Sequence, residues 1–172
     1  HIADSGLAFT FDIADRIGER FGLYDDPGLP QLERCLQLFP ALKFLGHSQS
    51  FWAEMAPLET VADRYGYPRY PIREEGAVPK LLRRYPNLYG DLSAGSGCNA
   101  LSRDPEYAVR FLNEFQDRLL FGTDICAPDT PTPLVDFLLD LRKRERISEE
   151  VFRKVARENA VRLLRLDETR PG

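Results

Sequence analysis

The sequence predicts an α/β fold in which a parallel sheet is covered by helices. Three short apolar runs carry that reading: "ALKFLGH" (41–47), "NLYGDLSA" (87–94) and "RLLFGTD" (118–124). Each has strand length and is bounded by proline or glycine. The segments between them repeat apolar residues at helical spacing, and strands that alternate with helices form parallel sheets. Two architectures fit, an open doubly wound sheet or a (β/α)8 barrel. Both collect function at the carboxyl ends of the strands.

Taken in chain order, Ile13, Ile17 and Phe21 give a first helix that stops at Gly22. Pro30 suits a first helical position, and Leu32, Cys35, Leu36 and Phe39 then form one apolar stripe. After the strand at 41–47, residues 48–75 are rich in Tyr, Arg and Pro. Val78, Leu81, Leu82 and Tyr85 make the next stripe. "AGSGCN" (94–99) lacks the GKS or GKT ending of a phosphate-binding loop and opens no clear helix. Asp104-Pro105-Glu106 is a helix start, with a capping carboxylate, proline at the first position and acid in the first turn. Ala108, Phe111, Leu112 and Phe115 carry its buried face. Leu134, Phe137, Leu138 and Leu141 follow the third strand. Ser148 caps a last helix with Phe152, Val155, Ala156, Ala160 and Leu163 inward.

Composition bounds the function. The chain has 172 residues, the size of one domain, and we take 1–172 as a single unit. Its formal net charge of -4 argues against a nucleic-acid partner. No apolar run nears the roughly 18 residues of a membrane span, and no charged-then-apolar leader opens the chain, so neither a membrane partner nor a signal peptide is expected. Cys35, Cys98 and Cys126 form no CxxC pair and are odd in number, which suits reduced thiols in a cytoplasmic protein. The chain begins with His1, not Met, so processing or a longer parent chain is expected.

The predicted strand ends hold the chemistry. The first run ends in Gly46-His47-Ser48, the second carries Asp91 and then Ser93-Ala94-Gly95-Ser96-Gly97, and the third ends in Asp124. If "HIADSG" is the tail of an earlier strand, His1 joins them. The two histidines of the chain and an aspartate then share one mouth. Imidazole plus carboxylate is a ligand set for zinc or another first-row divalent ion. Each residue also has a plain structural reading: His47 as a hydrogen-bonded core histidine, Asp124 as a turn cap before Pro128, His1 as a ragged end. Asp91 reads as a carboxylate that fixes loop backbone. Phe51, Trp52 and Met55, just past His47, suit either core packing or an apolar substrate wall. The run "RKRER" (142–146) reads as a solvated last turn.

The whole pattern resembles the amidohydrolase-related, metal-dependent hydrolases of amidohydrolase family 2. Three stretches carry the resemblance. "FLGHS" (44–48) is similar to the sixth-strand histidine, and "LLFGTDICAP" (119–128) to the eighth-strand aspartate with its Phe-Gly-Thr-Asp lead-in. "ENAVRLLRL" (158–166) is similar to the closing helix. There Asn159 falls on the apolar side, a costly place for an amide without hydrogen bonds, so it is expected to tie the helix to a neighbouring loop. The resemblance implies a TIM-type (β/α)8 barrel of which this chain supplies about the second half, strands 5–8 with their helices. It makes His1 the fifth-strand metal ligand, His47 a ligand or catalytic group, and Asp124 the ligand and proton acceptor. It implies a divalent metal, zinc first and manganese second.

The departure is the missing first-strand His-x-His and fourth-strand ligand. At about 31 residues per unit of a barrel of about 250 residues, the other half is expected upstream, and the resemblance makes residues 48–75 an enlarged loop over the mouth. A half barrel exposes sheet edges and core, so a homo-oligomer or pairing with that missing half is expected. The activity implied is metal-dependent hydrolysis of a small-molecule ester, lactone or amide-like bond. The alternatives are non-oxidative decarboxylation of a small aromatic or unsaturated acid, and a non-catalytic half-barrel scaffold. Substrate contacts are assigned to Trp52 and Arg103. Arg69, Arg73 and Arg103 are the candidates to hold a carboxylate.

Overall fold

The computed structural model describes residues 2–3 and 25–166. Among them, β1 (Ile2–Ala3), β2 (Phe44–His47), β3 (Leu88–Asp91) and β4 (Leu119–Leu120) form one parallel sheet in the order β1-β2-β3-β4. Parallel neighbours need crossovers, and helices supply them. α1 (Pro30–Leu38) precedes β2, while α2 (Gln49–Ala53) and α3 (Ala77–Arg84) connect β2 to β3. α4 (Ala94–Ser102) and α5 (Pro105–Glu114) connect β3 to β4. α6 (Pro133–Lys143), α7 (Glu149–Arg153) and α8 (Asn159–Leu164) follow the last strand. The helix expected on Ile13, Ile17 and Phe21 lies outside the described residues.

Two predicted starts form as the side-chain chemistry requires. The Asp104 carboxylate accepts the Tyr107 N–H at 3.0 Å, and its other oxygen accepts the Ile72 N–H at 2.9 Å. Ser148 accepts the Val151 N–H at 3.1 Å. The stripes Val78-Leu81-Leu82, Ala108-Phe111-Leu112-Phe115 and Leu134-Leu138-Leu141 are buried in one apolar cluster.

Four expectations change. Phe39 is exposed, because α1 ends at Leu38 and the chain turns away; Asn87 Nδ2 donates to the Leu36 and Phe39 carbonyls at 3.2 Å each and fixes that turn. "AGSGCN" does open a helix, α4, directly after β3. A Cβ on Gly97 would stand 2.1 Å from the Leu92 carbonyl oxygen, so this helix needs glycine to lie against the strand it follows. Residues 48–75 are not a simple loop. They fold inward, with Phe51, Trp52, Met55 and Arg64 buried. The Arg64 guanidinium donates to the Asp25 carbonyl and lies 3.5 Å from Glu54. Finally, the closing helix buries Val151, Val155 and Asn159, with Phe152 only partly covered.

That last shift has a backbone cause. Lys154–Glu158 is a widened, π-type turn between α7 and α8. The Val155 carbonyl there accepts the Phe121 N–H at 2.9 Å, just past the end of β4. Asn159, fully buried, donates from Nδ2 to the carbonyls of Gln116 (2.6 Å) and Leu119 (2.9 Å), and its Oδ1 accepts from Arg162 (3.0 Å). The closing helix is therefore bonded to the chain on both sides of β4.

Candidate functional site at the carboxyl edge of the sheet

β2 and β3 are built alike. "FLGH" and "LYGD" each place a glycine third and a titratable residue fourth, and the register pairs Phe44 with Leu88, Leu45 with Tyr89 and Gly46 with Gly90. The next pair in that register is His47 and Asp91. Alternation puts Gly46 and Gly90 on one face of the sheet, under the rings of Phe51 and Trp52. Leu45, His47, Tyr89 and Asp91 share the other face.

His47 and Asp91 meet there. His47 Nδ1 lies 3.3 Å from Asp91 Oδ2 and 3.2 Å from Ser93 Oγ, and the imidazole is buried. Asp91 Oδ1 accepts the Ser93 N–H at 2.9 Å. Burial pushes the Asp91 carboxyl up, but the hydrogen bonds from His47 and from the Ser93 N–H and hydroxyl outweigh it and hold it below the usual aspartate value. Behind it, the Trp52 indole N–H donates to the Asp91 carbonyl at 2.8 Å. β3 is pinned on its other side by the bond from the Leu92 N–H to the Leu120 carbonyl at 2.8 Å.

The backbone at this edge is strained in three places. Ser48, Ala94 and Asp124 each adopt a positive φ, of 80°, 62° and 54°, without being glycine. Each follows a strand of the same sheet. Residues held in such conformations cost of order 1–3 kcal/mol each and cluster where structure serves a site.

Asp124 is exposed, four residues beyond β4. A Cβ on Gly122 would stand 2.8 Å from the Ser93 Cβ and 3.4 Å from Asp91 Oδ1, so glycine lets the segment leading to Asp124 pass close to the His47–Asp91 pair. His1 falls outside the described residues. Trp52 is 1% exposed and lies in the core behind Asp91, against Phe51 and Phe111. Arg103 stands at the other end of α4 from Ser93, nine residues and about 14 Å of helix away. Its guanidinium stacks on Tyr70 at 5.3 Å and donates to the Ala53 carbonyl. Arg69 and Arg73 are exposed.

The donor chemistry suits a divalent cation in part. His47 can ligate only through Nε2, since Nδ1 faces a carboxylate, which is the arrangement ligating histidines use. Among the described residues no three His, Cys, Asp or Glu side chains come together as a metal cage. Two surface clefts lie elsewhere, one bordered by Glu33, Glu75 and Lys80, the other by Arg142, Glu145 and Ser148, and no histidine lines either.

Sequence reasoning passed over Asp91 and Ser93 as site residues. The signal was the shared spacing of "FLGH" and "LYGD", which aligns His47 with Asp91 once the strands are known to be adjacent.

A parallel α/β sheet with a His–Asp pair and a second aspartate at its carboxyl edge is the layout of a barrel or doubly wound enzyme. Residues 24–166 match the family model described as amidohydrolase, and the chain belongs to amidohydrolase family 2. That family lies in a TIM-barrel superfamily of enzymes of hydrolase or decarboxylase type. No curated protein and no solved structure matches the chain. No helix among the described residues is long and apolar enough to cross a membrane.

Proposed function

We propose that this chain is the second half of a metal-dependent hydrolase barrel that cleaves a small-molecule ester, lactone or amide-like bond. The observation that carries the reading is the His47–Asp91 pair, side by side at the carboxyl edge of the sheet, with the segment leading to Asp124 passing alongside. His1, His47 and Asp124 are the proposed ligands of a divalent ion, zinc before manganese. When bound, such an ion makes water nucleophilic near neutral pH and polarises the oxygen under attack. Asp124, exposed at the edge, accepts the proton of the attacking water and returns it to the leaving group. His47 presents Nε2 to the reacting centre. Trp52 serves by fixing Asp91.

In this reading the sheet face bearing Leu45 and Tyr89, only half covered in this chain, is barrel interior. A second half, from an upstream segment or another copy, would cover it. The same family includes decarboxylases, which need a cation to hold the substrate carboxylate.

The test is elemental analysis of the purified chain beside its intact mass. About one or two equivalents of zinc or manganese per chain, lost in His47→Ala and in Asp124→Ala, are expected. A metal-free wild type under zinc-replete conditions would refute the ligand assignment, and the non-catalytic scaffold would become the reading. Light scattering tests pairing with another copy: a strict monomer would refute that form and leave the upstream segment as the cover.

A further inference from the structure

Two oxygens stand at His47 Nδ1: the Asp91 carboxylate at 3.3 Å and the Ser93 hydroxyl at 3.2 Å. An ionised carboxylate only accepts hydrogen bonds, so the ring nitrogen facing it has to donate. The Ser93 hydroxyl can accept from Nδ1–H as well, and its own proton can turn to the carboxylate. Asp91 is held for this task from several sides. Its Oδ1 is occupied by the Ser93 N–H, and its backbone carbonyl by the Trp52 indole.

We propose that Asp91, assisted by Ser93, is the positioning residue of this site: it holds the His47 imidazole as the Nδ1–H tautomer and leaves Nε2 as the basic nitrogen. The proposal rests on the reading that His47 works at this edge, and states how the chain prepares it. The opposite tautomer would put an N–H at Nε2, which can neither ligate a metal nor accept a proton. Neither Asp91 nor Ser93 need touch substrate for this.

Nitrogen-15 NMR of the metal-free chain, labelled at histidine, tests the proposal without any activity. The chain has two histidines, so His47 is assigned by the signal lost in His47→Gln. The spectrum is followed with rising pH until the ring signals stop changing, so that the neutral form is read directly. The expected wild-type pattern is a protonated Nδ1 and an unprotonated Nε2, with a bias of about tenfold or more from the charge-assisted hydrogen bond. In Asp91→Asn the amide can donate to Nδ1, and the bias should fall or reverse. Asp91→Glu, which restores a carboxylate, should recover part of it. A wild type with Nε2–H, or an Asp91→Asn chain that keeps the wild-type pattern, overturns the proposal. The wild-type measurement stands even if a variant fails to fold. Zinc titration of the same samples separates the two readings. The Nδ1–H tautomer without zinc uptake supports the positioning role and overturns the metal reading. Zinc uptake by a wild type whose metal-free ring is in the Nε2–H form overturns the positioning role alone.

Discussion

Replacing Asn159 by leucine should cost this chain much of its stability, although leucine has nearly the right size and belongs in a core. Asn159 is fully buried, and its Nδ2 is the donor for two backbone carbonyls, of Gln116 at 2.6 Å and Leu119 at 2.9 Å. Leucine leaves both acceptors without that partner. A buried polar group left unsatisfied costs about 1–3 kcal/mol. The Leu119 bond is buried and the Gln116 bond only partly so, and the two together point to a loss of about 2–4 kcal/mol. Arg162 also loses its bond to Oδ1 but keeps the Asp117 carbonyl at 2.7 Å, so little is added there. The assay is urea unfolding of wild type and variant at neutral pH, with the slope unchanged and the midpoint lowered. Asn159→Asp should be no better, because an ionised carboxylate faces the same two carbonyls with nothing to donate. A loss below about 1 kcal/mol for Asn159→Leu would refute the reasoning, since it would mean the carbonyls find other donors or water.

Gly97→Ala should destabilise the chain by about 1–3 kcal/mol or more, because the new methyl would stand 2.1 Å from the Leu92 carbonyl and neither element can retreat cheaply; an unchanged urea midpoint would contradict this. Trp52→Phe deletes the indole donor to the Asp91 carbonyl and leaves a small cavity where the larger ring was, and should cost about 1–3 kcal/mol by the same assay. For pH, Glu75 is the informative group. The hydrogen bond from Arg83 draws its carboxyl below the ordinary 4.5, burial opposes, and the Tyr107 hydroxyl adds to the lowering. A depressed folded-state pKa contributes stability that is fully present above 4.5 and is lost as pH falls through the folded value. The melting temperature should therefore drop on acidification below that range, and Glu75→Gln should flatten the drop; equal slopes in both chains would contradict it.

The strands and most helices could be read from sequence because their signals are local. Pro105 after Asp104, Ser148 before an acidic turn, and the stripes of 77–84 and 105–114 each state their structure within a few residues. Asn159 was legible for the same reason: an amide on an apolar side has to be bonded. What escaped depends on distant parts of the chain. α4 begins Ala-Gly-Ser-Gly, poor helix propensity, and forms because glycine fits against Leu92. Phe39 sits in periodic register but just beyond its helix. Trp52 could face substrate or core, and only the position of Asp91 decides. The pairing of His47 with Asp91 needs the knowledge that their strands are neighbours and in which register. Of the proposed site, His47 and Asp124 were visible as strand-end residues, while Asp91 and Ser93 were visible only as loop chemistry.

The two adjacent glycines of the central strands act as a latch on alignment. Gly46 and Gly90 lie opposite one another, and a Cβ on either would stand 2.3 Å from the Phe51 ring or 2.8 Å from the Trp52 ring. If β2 crept along β3 by one residue, its faces would invert. If it crept by two, the Phe44 side chain would enter the space the Phe51 ring fills. Only one alignment leaves both rings seated, and in that alignment His47 stands beside Asp91. The geometry of the His47–Asp91 pair is thus enforced by two positions that carry no side chain, on the opposite face of the sheet. Substituting either glycine would retune the distance between imidazole and carboxylate while leaving both residues in place.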